Sequence, residues 1–148
     1  MSSRQGENNQ KMWQFYALLS ALFAAMTAIL AKIGVQGIDG NTATAIRTLV
    51  VLVLAWSIVL FSGQFKEIKD LSKTNLLFLV FSGVATGLSW IFYFKALETG
   101  EVSKVAPIDK LSVVFVLIFS FIFLNEPMEL KTLIGGALIA IGAVILVL

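Results

Sequence analysis

Long apolar runs alternate with short polar segments along almost the whole chain: Trp13 to Ile33, Thr42 to Ser62, Asn75 to Leu97, Val102 to Leu124 and Lys131 to Leu148. Each holds about 20 mostly hydrophobic residues, the length a helix rising roughly 1.5 Å per residue needs to cross about 30 Å of hydrocarbon. The alternation predicts an all-α membrane protein of five transmembrane helices. Residues 1–11 read as a flexible polar tail and residues 12–148 as one transmembrane domain. The first run exceeds the roughly 7–15 apolar residues of a secretory signal core and is followed by four more, so it reads as a retained helix.

The polar segments carry turn chemistry. Gly34 to Asn41 (GVQGIDGN) suits a tight reversal, with Asn41 or Thr42 capping the second helix. Gly63 to Thr74 (GQFKEIKDLSKT) spaces Phe65, Ile68 and Leu71 three apart, which predicts a short amphipathic helix at the lipid surface, and Ser72 or Thr74 would cap the third span. In Glu98 to Glu101 (ETGE), Gly100 is expected to end a helix with positive φ. In Asn125 to Leu130 (NEPMEL), Pro127 cannot continue the preceding helix.

Composition agrees: 58% of residues are hydrophobic and the mean hydropathy is +0.92. The sequence contains no cysteine and no histidine, which excludes disulfides and thiolate metal sites and removes the commonest metal ligand. No metal, cofactor or nucleic-acid partner is expected. No hydrolytic triad or phosphate loop stands out either, so an enzyme is not expected. An inside amino terminus places Arg4, Lys11, Lys66, Lys69, Lys73 and Lys131 on the cytoplasmic side of the cell membrane, against Lys32 and Lys104 outside. That favours an inside amino terminus and an outside carboxyl terminus. Lys95 and Lys110 near the opposite face weaken the bias and leave dual topology open.

The charges within the spans are the candidate chemistry. Arg47 lies about five residues inside the second run, and either snorkels to the headgroups or faces an aqueous cavity as a fixed positive charge. The fourth run opens VSKVAPIDKL, where Pro107 leaves the carbonyl of Ser103 without its helical partner and predicts a kink or short break. Broken helices at membrane depth line protein or water, and transporters place them at substrate sites. Asp109, Lys110 and Ser112 follow. Adjacent helical residues point about 100° apart, so Asp109 and Lys110 are not expected to share one partner. Asp109 has Lys95, Arg47 or Lys32 available on other helices, either as a helix-pinning network or as a set that switches partners or protonation.

Small and aromatic residues add a further set. Gly83 and Gly87 form a GxxxG pair for close helix packing, and Gly135 with Gly136 supplies a second small surface in the last run. Trp90, Tyr93 and Leu97 recur at i, i+3 and i+7, as a cavity wall or as anchors at the interface.

Tyr93 to Gly100 (YFKALETG), Val102 to Pro107 (VSKVAP), Leu124 to Pro127 (LNEP) and Leu133 to Leu146 (LIGGALIAIGAVIL) resemble the second half of an EamA repeat of the drug/metabolite transporter superfamily. Arg47 falls where such repeats often carry a basic residue. Most members have ten helices in two inverted five-helix repeats, and this chain looks like one repeat, as in the small bacterial and archaeal branch. The resemblance implies a partner, most simply an antiparallel homodimer of ten helices. It also implies a midplane cavity framed by helices one to four, with the fifth peripheral. Glu126 matches the acidic residue after the fourth helix, in a capping or a gating role.

The function expected is secondary active transport of a small polar metabolite by alternating access, with H⁺ or another ion as the candidate coupling species. Cations outnumber Asp109 within the spans, which points to an anionic or zwitterionic substrate. The alternative is a non-catalytic membrane subunit that completes a transporter only with a different, oppositely oriented partner.

Overall fold

The computed structural model describes the backbone of residues 2–148 and the side chains from Met12 onward. The character expected of segment 1–11 therefore lies outside the described side chains. Six α-helices and one 3₁₀ helix follow one another, with no strand among the described residues. They are α1 (Ser2–Gly34), α2 (Gly40–Phe61), the 3₁₀ helix Gln64–Asp70, α3 (Lys73–Thr99), α4 (Val102–Asp109), α5 (Ser112–Leu124) and α6 (Leu130–Val147). Five stretches are long and apolar enough to cross a membrane: Met12–Gly34, Gly40–Phe61, Lys73–Thr99, Val102–Leu124 and Leu130–Val147. The fourth comprises α4 and α5 in sequence.

Helix ends follow local chemistry, sometimes one residue set away from expectation. Asp39, not Asn41 or Thr42, caps α2, its carboxylate accepting from the amides of Asn41 (2.9 Å) and Thr42 (3.3 Å). Ser72 caps α3 as expected, accepting from the amide of Asn75 at 3.1 Å. Gly100 does not take a positive φ: it is extended at φ −104°. Its lack of a Cβ serves close approach instead, because a Cβ there would lie 2.8 Å from Val105 Cγ2 and 2.9 Å from the carbonyl oxygen of Ala96. At the end of α5 the left-handed residue is Asn125 (φ 52°), which stops the helix two residues before Pro127. The amphipathic segment forms as a 3₁₀ helix packed on α2, with Phe65 against the Trp56 ring at 6.2 Å.

α3 packs on α2, α1 and α4, while α6 packs on α4 and α5. The buried core is small and gathered at one end of the bundle, where Ala31, Val35, Ala43, Phe94 and Leu97 meet. Leu97, expected on a cavity wall or as an anchor at the interface, is fully buried there. The accessible surface is 11914 Å² for 16.1 kDa, where a soluble monomer of that mass would expose roughly 7,400 Å². Leu, Ile, Val and Phe side chains dominate that excess, as befits helices solvated by lipid.

Two charged residues tie the same end together. Lys32, at the end of α1, donates to the carbonyl of Leu97 (2.6 Å) and to that of Gly100 (2.8 Å), so it caps the carboxyl end of α3. Glu98 accepts from the amide of Gly40 (3.2 Å) at the start of α2. A cation thus meets the negative end of one helix dipole and an anion the positive end of another.

Candidate functional site

The fourth span changes its hydrogen bonding just past Pro107. Lys110 donates its amide to both Ala106 (3.3 Å) and Pro107 (3.1 Å), and Leu111 donates to Ile108 (2.9 Å), a tightened 3₁₀-like turn between α4 and α5. The span is therefore broken at Lys110–Leu111, just after Pro107. Asp109 and Lys110 flank it. They pair with each other, an arrangement helical spacing did not suggest, Lys110 Nζ lying 3.1 Å from Asp109 Oδ2 because the long flexible lysine stem folds back on its neighbour.

This turn opens on a polar cavity of about 310 Å³. α1 contributes Ala24 and Thr27, α2 Arg47, α3 Ser89, Trp90 and Tyr93, and the fourth span Asp109, Lys110 and Ser112. Thr27, Arg47, Tyr93 and Asp109 each stand about seven residues, or roughly 10 Å of helix, from the tied end of the bundle. Spans one to four thus all reach the cavity, and the residues lining it include none from α6.

Arg47 is held by rings. Its guanidinium carbon lies 4.3 Å from the Trp90 ring centroid and 5.6 Å from that of Phe94. Contacts of this kind contribute about 0.5–2 kcal/mol and fix the guanidinium plane. The ion pairs among the described residues are Glu101–Lys104, Asp109–Lys110 and Glu129–Lys131, so Arg47 has no carboxylate within 4.0 Å. Its planar N–H fork remains for another partner.

Six of the sequence-predicted residues meet here: Arg47, Trp90, Tyr93, Asp109, Lys110 and Ser112. Lys32 belongs to the helix clasp described above, and Lys95 is exposed on α3, outside the cavity lining. Glu126 is exposed between α5 and α6, at the end of the chain path opposite the clasp. Pro107 lines a neighbouring apolar recess with Lys110. Of the packing glycines, Gly136 sits against Leu117 of α5, whereas Gly83, Gly87 and Gly135 have open space where a Cβ would be.

Sequence reasoning missed Thr27, Ser89, Phe94 and Glu98. Phe94 follows Trp90 by four residues and so shares its helix face, a spacing that could have exposed it. Thr27 is the one polar residue between Ala21 and Ala31.

Comparison with known proteins places this arrangement. The EamA-like transporter family matches residues 11–148. A Sinorhizobium protein described as an uncharacterized transporter in the cobO 3' region is 49% identical over 134 residues, covering 90% of this chain and 95% of that protein. Human solute carrier family 35 member G1 is 35% identical over 130 residues, covering 87% of this chain but only 34% of its own length. No solved structure matches. With five membrane-crossing helices, a polar cavity beside a tightened turn, and a family match over nearly its whole length, the chain belongs to the EamA-like transporter family and is a multi-pass membrane protein of transporter type.

Proposed function

We propose that the protein is a secondary transporter of a small organic anion or zwitterion, working by alternating access across the cell membrane. The observation that carries this reading is the convergence of Arg47, Lys110 and Asp109 on one polar cavity within the spans, two cations against one carboxylate. Ionisable residues at membrane depth are costly and mark substrate or ion paths by default. Lys110 is occupied by Asp109, which leaves Arg47 to meet the substrate's negative group.

Asp109 is the coupling residue in this reading. Lys110 faces it directly, and Arg47 and Tyr93 share its cavity. Protonation of Asp109 would release Lys110 from the pair and change the charge offered to the substrate, linking proton and substrate movement. In proteoliposomes, Asp109→Asn protein should still exchange substrate but lose the pH dependence of uptake. Unchanged pH dependence would exclude this coupling.

A second copy in the opposite orientation completes the transporter. The large apolar surface and the open faces at Gly83 and Gly87 support that assembly, since small residues let helices of separate chains approach closely. Single cysteines at Ser3 and at Ser72, in a chain with none of its own, report sidedness directly. Labelling of each site from both faces of the membrane supports the inverted pair. Wholly one-sided labelling favours a different, oppositely oriented partner.

A further inference from the structure

Two apolar recesses adjoin the polar cavity. One, of about 430 Å³, shares Ala24, Tyr93 and Lys110 with it; the other, of about 390 Å³, shares Thr27 and Arg47. The cation at each junction decides between them. Lys110 is neutralised by Asp109 at 3.1 Å, whereas Arg47 has aromatic faces but no carboxylate among the described residues. Beyond Arg47 the recess runs between α1 and α2, walled by Leu30, Ala31, Ile46 and Phe94 and reaching Gly34. Its volume is within the range of pockets that hold drug-sized molecules.

We infer that the substrate is an amphipathic organic anion, its carboxylate on Arg47 in the polar cavity and its alkyl or aryl body in the recess between α1 and α2. The inference rests on the anion-transport reading above and narrows it. A cation in a span without a counter-charge is stabilised by a ligand carboxylate, and a planar guanidinium accepts one through two parallel hydrogen bonds. The same ligand's hydrocarbon leaves water for apolar walls. Neither half of the site alone uses both features, and the shared residue Arg47 joins them.

The test uses the full chain in lipid nanodiscs with Trp13→Phe and Trp56→Phe, which leaves Trp90, beside Arg47, as the reporting tryptophan. Titration with acetate, butyrate and hexanoate should show affinity rising about fourfold per methylene. Hexylamine should not compete. Arg47→Gln should remove hexanoate binding, and Gly34→Leu, at a position where an added Cβ meets nothing within 4 Å, should flatten the series by filling the recess. Equal affinities for acetate and hexanoate, both lost in Arg47→Gln, would overturn the amphipathic substrate while leaving the anion reading standing. A series that keeps its slope in Gly34→Leu places the chains elsewhere, in lipid or in the other recess, and also overturns it. Hexylamine competing as well as hexanoate would bring down the anion reading itself.

Discussion

The tied end of the bundle and the polar cavity roughly 10 Å inside it both hold charged side chains, and they treat them in opposite ways. At the tied end three charges meet helix termini: Lys32 reaches the carbonyls of Leu97 and Gly100, Glu98 the amide of Gly40, and Asp39 the amides of Asn41 and Thr42. These are charge-assisted bonds to backbone groups that would otherwise lack partners. In the cavity, Arg47 lies on two aromatic rings and the break in the fourth span brings a paired Asp109 and Lys110 beside it. Lys32, near the end of its span, is thus explained by the neighbouring helix end it caps. Arg47, which engages no backbone carbonyl or carboxylate among the described residues, is the cation that the proposed function assigns to a ligand.

The contrast is broken most directly at Arg47. On the proposed function, Arg47→Gln should lower uptake into proteoliposomes tenfold or more while leaving the yield of folded protein near normal, since that reading gives Arg47 a charge-assisted contact of about 1.5–3 kcal/mol with substrate. A variant that transported normally would show the arginine to be another structural cation. Next in size, Lys32→Met should lower stability by about 1–3 kcal/mol, read as a reduced Tm in detergent, since two carbonyls at the end of α3 lose their donor. Its loss of transport per folded molecule should be smaller than that of Arg47→Gln; equal losses would erase the distinction between the two regions. Smallest should be Glu98→Gln, whose amide oxygen still accepts from Gly40 and forfeits only the charge–dipole attraction, about 0.3–1 kcal/mol. A larger drop in Tm would mean that the carboxylate holds more of the bundle end than one amide.

How far the sequence reaches follows from the same contrast. The spans were legible to within about two residues, because crossing hydrocarbon is a demand on consecutive residues and leaves an unbroken apolar run. The break in the fourth span was legible from Pro107, whose missing amide is a local fact, although the tightened turn falls at Lys110–Leu111. Five of the six cavity residues could be chosen as ionisable or aromatic groups within apolar runs, and Ser112 by its place just after Asp109. The assignment of Lys32 was not legible, because the carbonyls it meets come from a turn 65 and 68 residues away. Phe94 was hidden for a similar reason: in a chain with 12 phenylalanines, only the fold selects the one that stacks on Arg47. Gly100 shows the opposite failure, a correct helix end assigned to the wrong cause, since close approach to Val105 is invisible until α3 and α4 are set side by side.

The clasp at Lys32 also sets an order on how the protein is made. Its acceptors, Leu97 and Gly100, are separated from it by 65 and 68 residues of chain, and they do not exist when the first span emerges from the ribosome. At synthesis rates of about 5–20 residues per second, the lysine waits several seconds in the bilayer before it can be satisfied. Its place at the end of the first span lets it snorkel to the headgroups in the meantime. Insertion of the third span therefore converts a surface charge into a latch, and the first three spans are locked together only once the turn into the fourth has been translated.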